Sequence, residues 1–307
     1  MQKVNKEIQS LRKNKNQTYR PISNGLERIL FKPLKVLDKG FIRVVDYMGN
    51  DSSIVQAARV SYGKGTKKKS EDEGLIRYLL RHRHTTPFEM CEIKLHIKLP
   101  IFIARQWIRH RTASINEYSA RYSILEDEFY IPKKYNLAEQ SMSNKQGRGE
   151  EVDEKTASKI LKILKEDSYR CYKNYSWMLN EKDSINFNKN RSSLSRELAR
   201  INLTLNTYTQ WYWKIDLHNF MHFISLRADS HSQYEIREYG KILLNILSKW
   251  VPLSYKAFLS YRVNSTELSM EALKIIKKMI SGKKVFKNQT TLSNREWNEL
   301  QSILSAE

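Results

Sequence analysis

Residues Cys91–Leu99 restrict the fold of this chain more than any other stretch. Ile93, Leu95, Ile97 and Leu99 alternate with Lys94, His96 and Lys98, which is the period of a strand with one apolar face. Pro100 follows and suits the first turn of a helix. In that helix Ile101, Ala104, Trp107 and Ile108 make an apolar stripe, while Arg105 and Arg109 lie one turn apart.

The flanking elements follow from turn and cap chemistry. Val36-Leu37 and Phe41–Val45 flank the turn tripeptide Asp38-Lys39-Gly40, which predicts a hairpin. Asp51 or Ser52 is expected to cap a helix reaching Ser61. A charged loop over Gly63–Asp72 should precede a helix over Gly74–Arg83 that stops before Pro87. Tyr135–Thr156 is polar, with a flexible insertion expected over 137–156 and an amphipathic helix over Glu154–Met178. Ser195 suits the cap of a short helix to Ile201, and Thr204–Trp213 suits either a strand or extended helix. Asp216 caps an expected helix to Arg227, another covers Ser230–Trp250, and a small basic one covers Leu268–Ile280. Strands early and helices late argue for an α+β fold, with a small sheet from the N-terminal half packed against several long helices. The expected organisation is a basic N-terminal extension over 1–33, one catalytic domain over 34–261 and a helical C-terminal extension over 262–307.

Charge narrows the class of partner. The 307 residues hold 54 Lys+Arg against 33 Asp+Glu, net +21, which favours anionic partners. Residues 1–35 carry net +7 and residues 262–307 net +3, so about half the excess lies at the two ends. Basic and aromatic residues are not interleaved in any nucleic-acid-binding motif, which argues against a nucleic-acid partner. Two lone cysteines, Cys91 and Cys171, point to a reducing compartment rather than a disulfide framework. With no long apolar run and no hydrophobic leader core, no membrane span is expected and the cytoplasm is.

The densest chemistry is Arg109-His110-Arg111-Thr112-Ala113-Ser114-Ile115-Asn116-Glu117-Tyr118-Ser119-Ala120-Arg121-Tyr122. Forked guanidinium groups suit phosphate and carboxylate, so the segment reads as an anion site. A surface ion-pair cluster is the plain alternative. Ser119 and Arg121, two apart, would share one side of an extended backbone. Glu117 would hold the arginines or accept from a ribose hydroxyl. A second concentration, Arg81–Glu89, holds His82 and His84 but lacks a ligand set, so no metal is expected. A third is Asp216–His231, where His218 and His222 lie one turn apart.

The spacing R-H-R-x-x-S-x-N-x-x-S-x-R-Y resembles the signature of the flavin-dependent thymidylate synthases (ThyX). Other blocks agree in order: Gly49-Asn50-Asp51, Ala57–Ser61, His84-x-Thr86-Pro87-Phe88-Glu89, Pro100–Trp107, Phe129–Pro132 and Leu226–Ile236. The resemblance covers roughly 34–261. It implies a homotetramer that binds FAD where subunits meet and shares its active sites between them. It implies methylation of dUMP to dTMP, with methylenetetrahydrofolate as carbon donor and NADPH as reductant. By the same resemblance the flavin contacts fall on Ser61, His84, Thr86, Arg109, His110, Arg111, Glu117, Asp216, Leu217, His218, His222 and His231. The dUMP contacts fall on Gln106, Trp107, Ile108, Arg109, Glu117, Tyr118, Ser119, Ala120, Arg121, Arg200 and Arg227. Thr204, His218 and His222 stand where the family commonly has proline, arginine and asparagine.

Uracil is a poor carbon nucleophile, and neither cysteine lies in a polar motif. Activation must then be electrostatic, by a cation that stabilises an enolate-like ring. Arg227 is the candidate catalytic residue. Ser119 has no evident base beside it and is expected to be a ligand. Two other readings are a polynucleotide binder and an inactive homologue that still holds nucleotide.

Overall fold

The computed structural model describes residues 2–60, 69–141, 147–185 and 187–305. They form two compact units, residues 1–263 and 264–307.

In the first unit, helices α1 (Gln2–Lys13) and α2 (Asn24–Glu27) precede a hairpin of β1 (Leu34–Val36) and β2 (Gly40–Met48). Helices α3 (Asp51–Arg59), α4 (Lys69–Arg81) and α5 (Thr86–Glu89) lead to β3 (Glu92–Pro100). Pro100 is both the last residue of β3 and the N-cap of α6 (Ile101–Trp107), so strand passes into helix without a loop. Then come β4 (Ser114–Glu117), a separate hairpin of β5 (Ala138–Gln140) and β6 (Arg148–Glu151), and α7 (Glu154–Leu179). The unit ends with α8 (Arg196–Ala199), β7 (Tyr208–Asp216), α9 (Leu217–Arg227), α10 (Tyr234–Trp250) and α11 (Pro252–Phe258).

The five-stranded sheet has the order β1-β2-β3-β7-β4, with every pair antiparallel. The architecture is α+β, as expected. The sheet is not confined to the N-terminal half, however, because β7 lies between β3 and β4. Its Thr, Tyr and Trp content suits a pleated, half-buried surface. Register pairs Ile93 with Ile215, Leu95 with Trp213 and Ile97 with Trp211, which puts one apolar face in line across the centre. Trp107 of α6, Phe220 and Phe223 of α9, and Leu243, Ile246, Leu247 and Trp250 of α10 are fully buried in the same core. Each such side chain contributes about 1.5–3 kcal/mol of burial. The opposite face carries Arg43, His96, Lys98, Gln210 and Tyr212. There Arg43 Nε donates to His96 Nδ1, and His96 Nε2 meets Gln210 Oε1, both at 2.9 Å.

Some boundaries differ from expectation. Asn50 caps α3, accepting from Ser52 N, because Asp51 is engaged elsewhere. The Asp51 carboxylate accepts from Leu253 N, Ser254 N and Ser254 Oγ at 2.7–2.9 Å, tying α3 to the start of α11. Of the expected charged loop, residues 61–68 lie outside the described residues, and α4 begins by Lys69. Of the expected insertion, the described parts form β5 and β6; residues 142–146 lie outside them. Residues 24–32 of the expected extension reach into the core, where Leu26 is 0% exposed and Gly25 lies against the backbone of Lys249. Ser23 Oγ donates to Lys249 O at 2.7 Å, and Arg12 Nη1 donates to Leu30 O at 2.6 Å.

The second unit pairs α12 (Met270–Ile280), capped by Ser269, with α13 (Asn294–Ser305). Ala272, Ile275, Leu292 and Leu300 form its core, with Met279, Val285 and Trp297 against it. Among the described residues, no helix is long and apolar enough to cross a membrane.

Candidate active site

The signature begins where α6 ends. Trp107 drives that end into the core: its ring meets those of Trp213 and Phe223 at 5.1 and 4.4 Å. An anchor this large fixes where the next residues emerge. Arg109 and Arg111 leave the core and are exposed, with no side-chain partner among the described residues. His110 turns back. Its Nε2 accepts from Arg227 Nε at 3.0 Å, and its ring lies 4.6 Å from Phe223. Burial, then Arg227 and His222, push the His110 pKa down to about 4. The imidazole is therefore neutral at pH 7, with the proton assigned to Nδ1 because Nε2 accepts. Arg227 spends one N–H on His110 and keeps both terminal nitrogens for a ligand. Its own pKa is lowered by burial.

Backbone contact between α9 and α10 sets the position of Arg227. A Cβ on Gly240 would lie 2.8 Å from Ala228 N and 2.9 Å from the Arg227 carbonyl carbon. Only glycine lets α10 approach this closely. At its other end α9 is capped by Asp216, whose Oδ1 accepts from Asn219 N at 2.9 Å. Thr112 Oγ1 donates to Asn219 Oδ1 at 2.8 Å and so ties the signature loop to α9.

After β4 the chain lines a cavity of about 500 Å³, with Glu117, Tyr118, Ser119 and Ala120 on one wall. Arg105 from α6, Ile108 just after it, and Arg200, Thr204 and Leu205 from the segment before β7 supply the others. Thr209 Oγ1, buried in β7, donates to Glu117 Oε1 at 2.7 Å. Tyr118 Oη donates to Ile124 O at 3.0 Å. The Thr204 hydroxyl has no partner among the described residues.

The site differs from the sequence expectation at several positions. Ser119 and Arg121 are not on one extended stretch. The Ser119 carbonyl accepts from Tyr122 N and Ser123 N at 3.1 and 3.0 Å, so the chain turns. Ser119 lines the cavity, whereas Arg121 is exposed and lies 3.6 Å from Glu197. Trp107 and Leu217 are both 0% exposed, so their side chains serve the core and only their backbones are available to a ligand. Asp216 uses its carboxylate on its own helix. His218 is half-buried, His222 is exposed, and His231 is exposed beside Asp229 at 2.9 Å. Gln106 donates Nε2 to Gln233 Oε1. His84 and Thr86 line a separate cavity of about 890 Å³ with Ser53, Gln56 and Tyr78; Ser61 lies outside the described residues. Sequence reading missed Thr209, Asn219 and Gln233 as supports, because a hydroxyl or amide on an apolar element carries no local signal of its partner.

The sulfur chemistry agrees with a site that uses no thiol. Cys91 is buried with Sγ 3.6 Å from Asn50 O, and burial, then Asp51, push its thiol up to about 12. No residue of the signature or of the cavity wall is a cysteine.

The family model described as Thymidylate synthase complementing protein matches residues 43–253. A flavin-dependent thymidylate synthase of Rickettsia bellii is 59% identical over 291 residues, covering 94% of this chain and 99% of that one. One from Gluconobacter oxydans is 56% identical over 298 residues, covering 97% and 96%. Among solved structures, a UMP/dUMP methylase, PolB from Streptomyces cacaoi, bound with 5-Br UMP, superposes with a TM-score of 0.64 at 28% identity. It covers 75% of this chain and 97% of that chain. The ordered blocks, the cavity at the signature and these matches together show that the chain belongs to the family of flavin-dependent thymidylate synthases.

Proposed function

We propose that this protein converts dUMP to dTMP in the cytoplasm, with FAD as hydride carrier, methylenetetrahydrofolate as carbon donor and NADPH as reductant. The observation that carries this reading is Arg227, a half-buried cation braced by a neutral histidine with its terminal N–H groups uncommitted. Such a group stabilises negative charge that develops on the uracil carbonyl and ring nitrogen. It makes C5 nucleophilic without a cysteine. In the cavity, Ser119 and Arg200 suit the nucleotide phosphate, and Glu117, held by Thr209, suits a hydroxyl.

The residues present fit a flavin dinucleotide. Arg109 and Arg111 emerge as cations without acidic partners among the described residues, which suits a diphosphate. His84, Thr86, His218 and His222 add donors. When bound, FAD supplies the hydride, and the protein orients it. We infer a homotetramer with shared sites, because these donors are largely exposed in one chain and a second copy would enclose them. The same reading keeps the nucleotide, not nucleic acid, as the anionic partner.

The test is dTMP formation from dUMP, methylenetetrahydrofolate and NADPH, measured by mass spectrometry with and without FAD. Flavin-dependent product is expected. Arg227→Ala should retain bound flavin but lose on the order of 10²-fold in kcat. Product in the absence of flavin would refute the reading.

A further inference from the structure

The β5–β6 hairpin and the start of α10 meet at one buried carboxylate. Glu235 has a side chain 5% exposed, yet it accepts from three residues. Arg148 Nη2 lies 2.8 Å from both its oxygens. Tyr130 Oη donates to Oε1 at 3.2 Å, and Gln233 Nε2 donates to Oε2 at 2.8 Å. Beyond it, Gln233 Oε1 accepts from Gln106 Nε2.

The two ends of an amide are alike in shape, so its orientation is settled by its partners. Here the orientation starts from Glu235. A carboxylate paired with a guanidinium only accepts. Gln233 must therefore turn its NH₂ toward Glu235 and its oxygen toward Gln106. Gln106 must then give an N–H to Gln233, which leaves Gln106 Oε1 uncommitted. A buried negative charge thereby sets the polarity of an amide two hydrogen bonds away.

We propose that Glu235, held by Arg148, is a positioning residue: through Gln233 it holds the Gln106 amide with its oxygen free to accept, so a nucleotide bound at Gln106 must bring a hydrogen-bond donor. This rests on the dUMP reading above. Two groups of dUMP have that chemistry, the ring N3–H and the 3′-hydroxyl. The hairpin that carries Arg148 then has a role in substrate selection although it supplies no ligand itself.

Gln233 is exposed, so Gln233→Met cuts the relay without opening the core. The flavin-loaded, full-length enzyme is titrated with dUMP and assayed for turnover. Kd and KM for dUMP should rise about tenfold, as for one lost hydrogen bond, with kcat within about twofold and an unchanged Tm. Gln106→Glu should weaken dUMP binding further, because its carboxylate faces the Gln233 oxygen. Adding Glu235→Gln lets the Gln233 amide reverse and should recover about tenfold of that loss. N3-methyl-dUMP and 2′,3′-dideoxy-UMP separate the two donors: the analogue lacking the donor in use binds wild type and Gln233→Met equally. Equal dUMP binding by wild type and Gln233→Met would overturn the proposal, as would a double variant no better than Gln106→Glu. Failure of wild type to bind dUMP would remove the nucleotide reading with it.

Discussion

At the scale of single residues, the site depends on which side chains stay neutral. His110 accepts from Arg227 only while Nε2 is unprotonated, and its pKa is pushed down to about 4 by burial, Arg227 and His222. Acidification toward pH 4 should therefore release Arg227 and reduce kcat. A pH–rate profile checks this: His110→Asn, which keeps an acceptor that does not titrate, should remove the acid limb assigned to His110 while leaving the limbs of other groups. The cationic signature was legible in the sequence, since three arginines within 13 residues serve no core. The pairing of His110 with Arg227 was not, because the two are 117 positions apart and their contact depends on how α9 crosses the end of α6.

Among the elements, closeness of backbone matters more than side-chain contacts. Gly240→Ala would force α10 away from the Arg227–Ala228 backbone. Overpacking of this kind costs about 1–3 kcal/mol. The variant should show a lower Tm and, by moving Arg227, a fall in kcat larger than any change in flavin content; turnover and absorbance measurements on the same sample separate the two. The N-terminal segment divides similarly. Deleting residues 2–13 removes Arg12 and the ion pair of Glu7 with Arg43 at 3.2 Å, both at the surface or partly exposed. Deleting residues 2–33 also removes Leu26, which is fully buried. The longer deletion should lower Tm by much more, with Leu26 alone worth about 2–5 kcal/mol, and thermal melts of the two truncations would show it. Helix and strand identities followed from period and caps. That Asn50 rather than Asp51 caps α3 did not, because Asp51 finds its partners some 200 positions away in α11.

For the molecule as a whole, acid stability should follow two histidines. His96 is pushed down to about 4 by burial and then Arg43, and His110 lies at about 4 as well. The ordinary value is 6.5. As pH falls, the unfolded chain takes up these protons first. The stability that the neutral imidazoles contribute is complete above about pH 6.5 and is lost as pH falls through about 4. Urea unfolding between pH 7 and pH 4.5 should show a declining midpoint, and His96→Gln should flatten part of that decline. No change in midpoint over this range would contradict the burial of both rings.

The sequence by itself determined the family, the α+β class, the strand–helix junction at Pro100 and the set of residue types at the site. Those follow from local period, cap chemistry and ordered motifs, all readable along the chain. Only the tertiary structure decided that β7 enters the middle of the sheet, that Trp107 and Leu217 turn inward, and that Glu235 governs Gln106. The reason is physical. Periodicity states that a residue has a buried face, but the partner it meets there is set by topology, and hydrogen bonds between residues 100 or more positions apart exist only once the core has placed both ends.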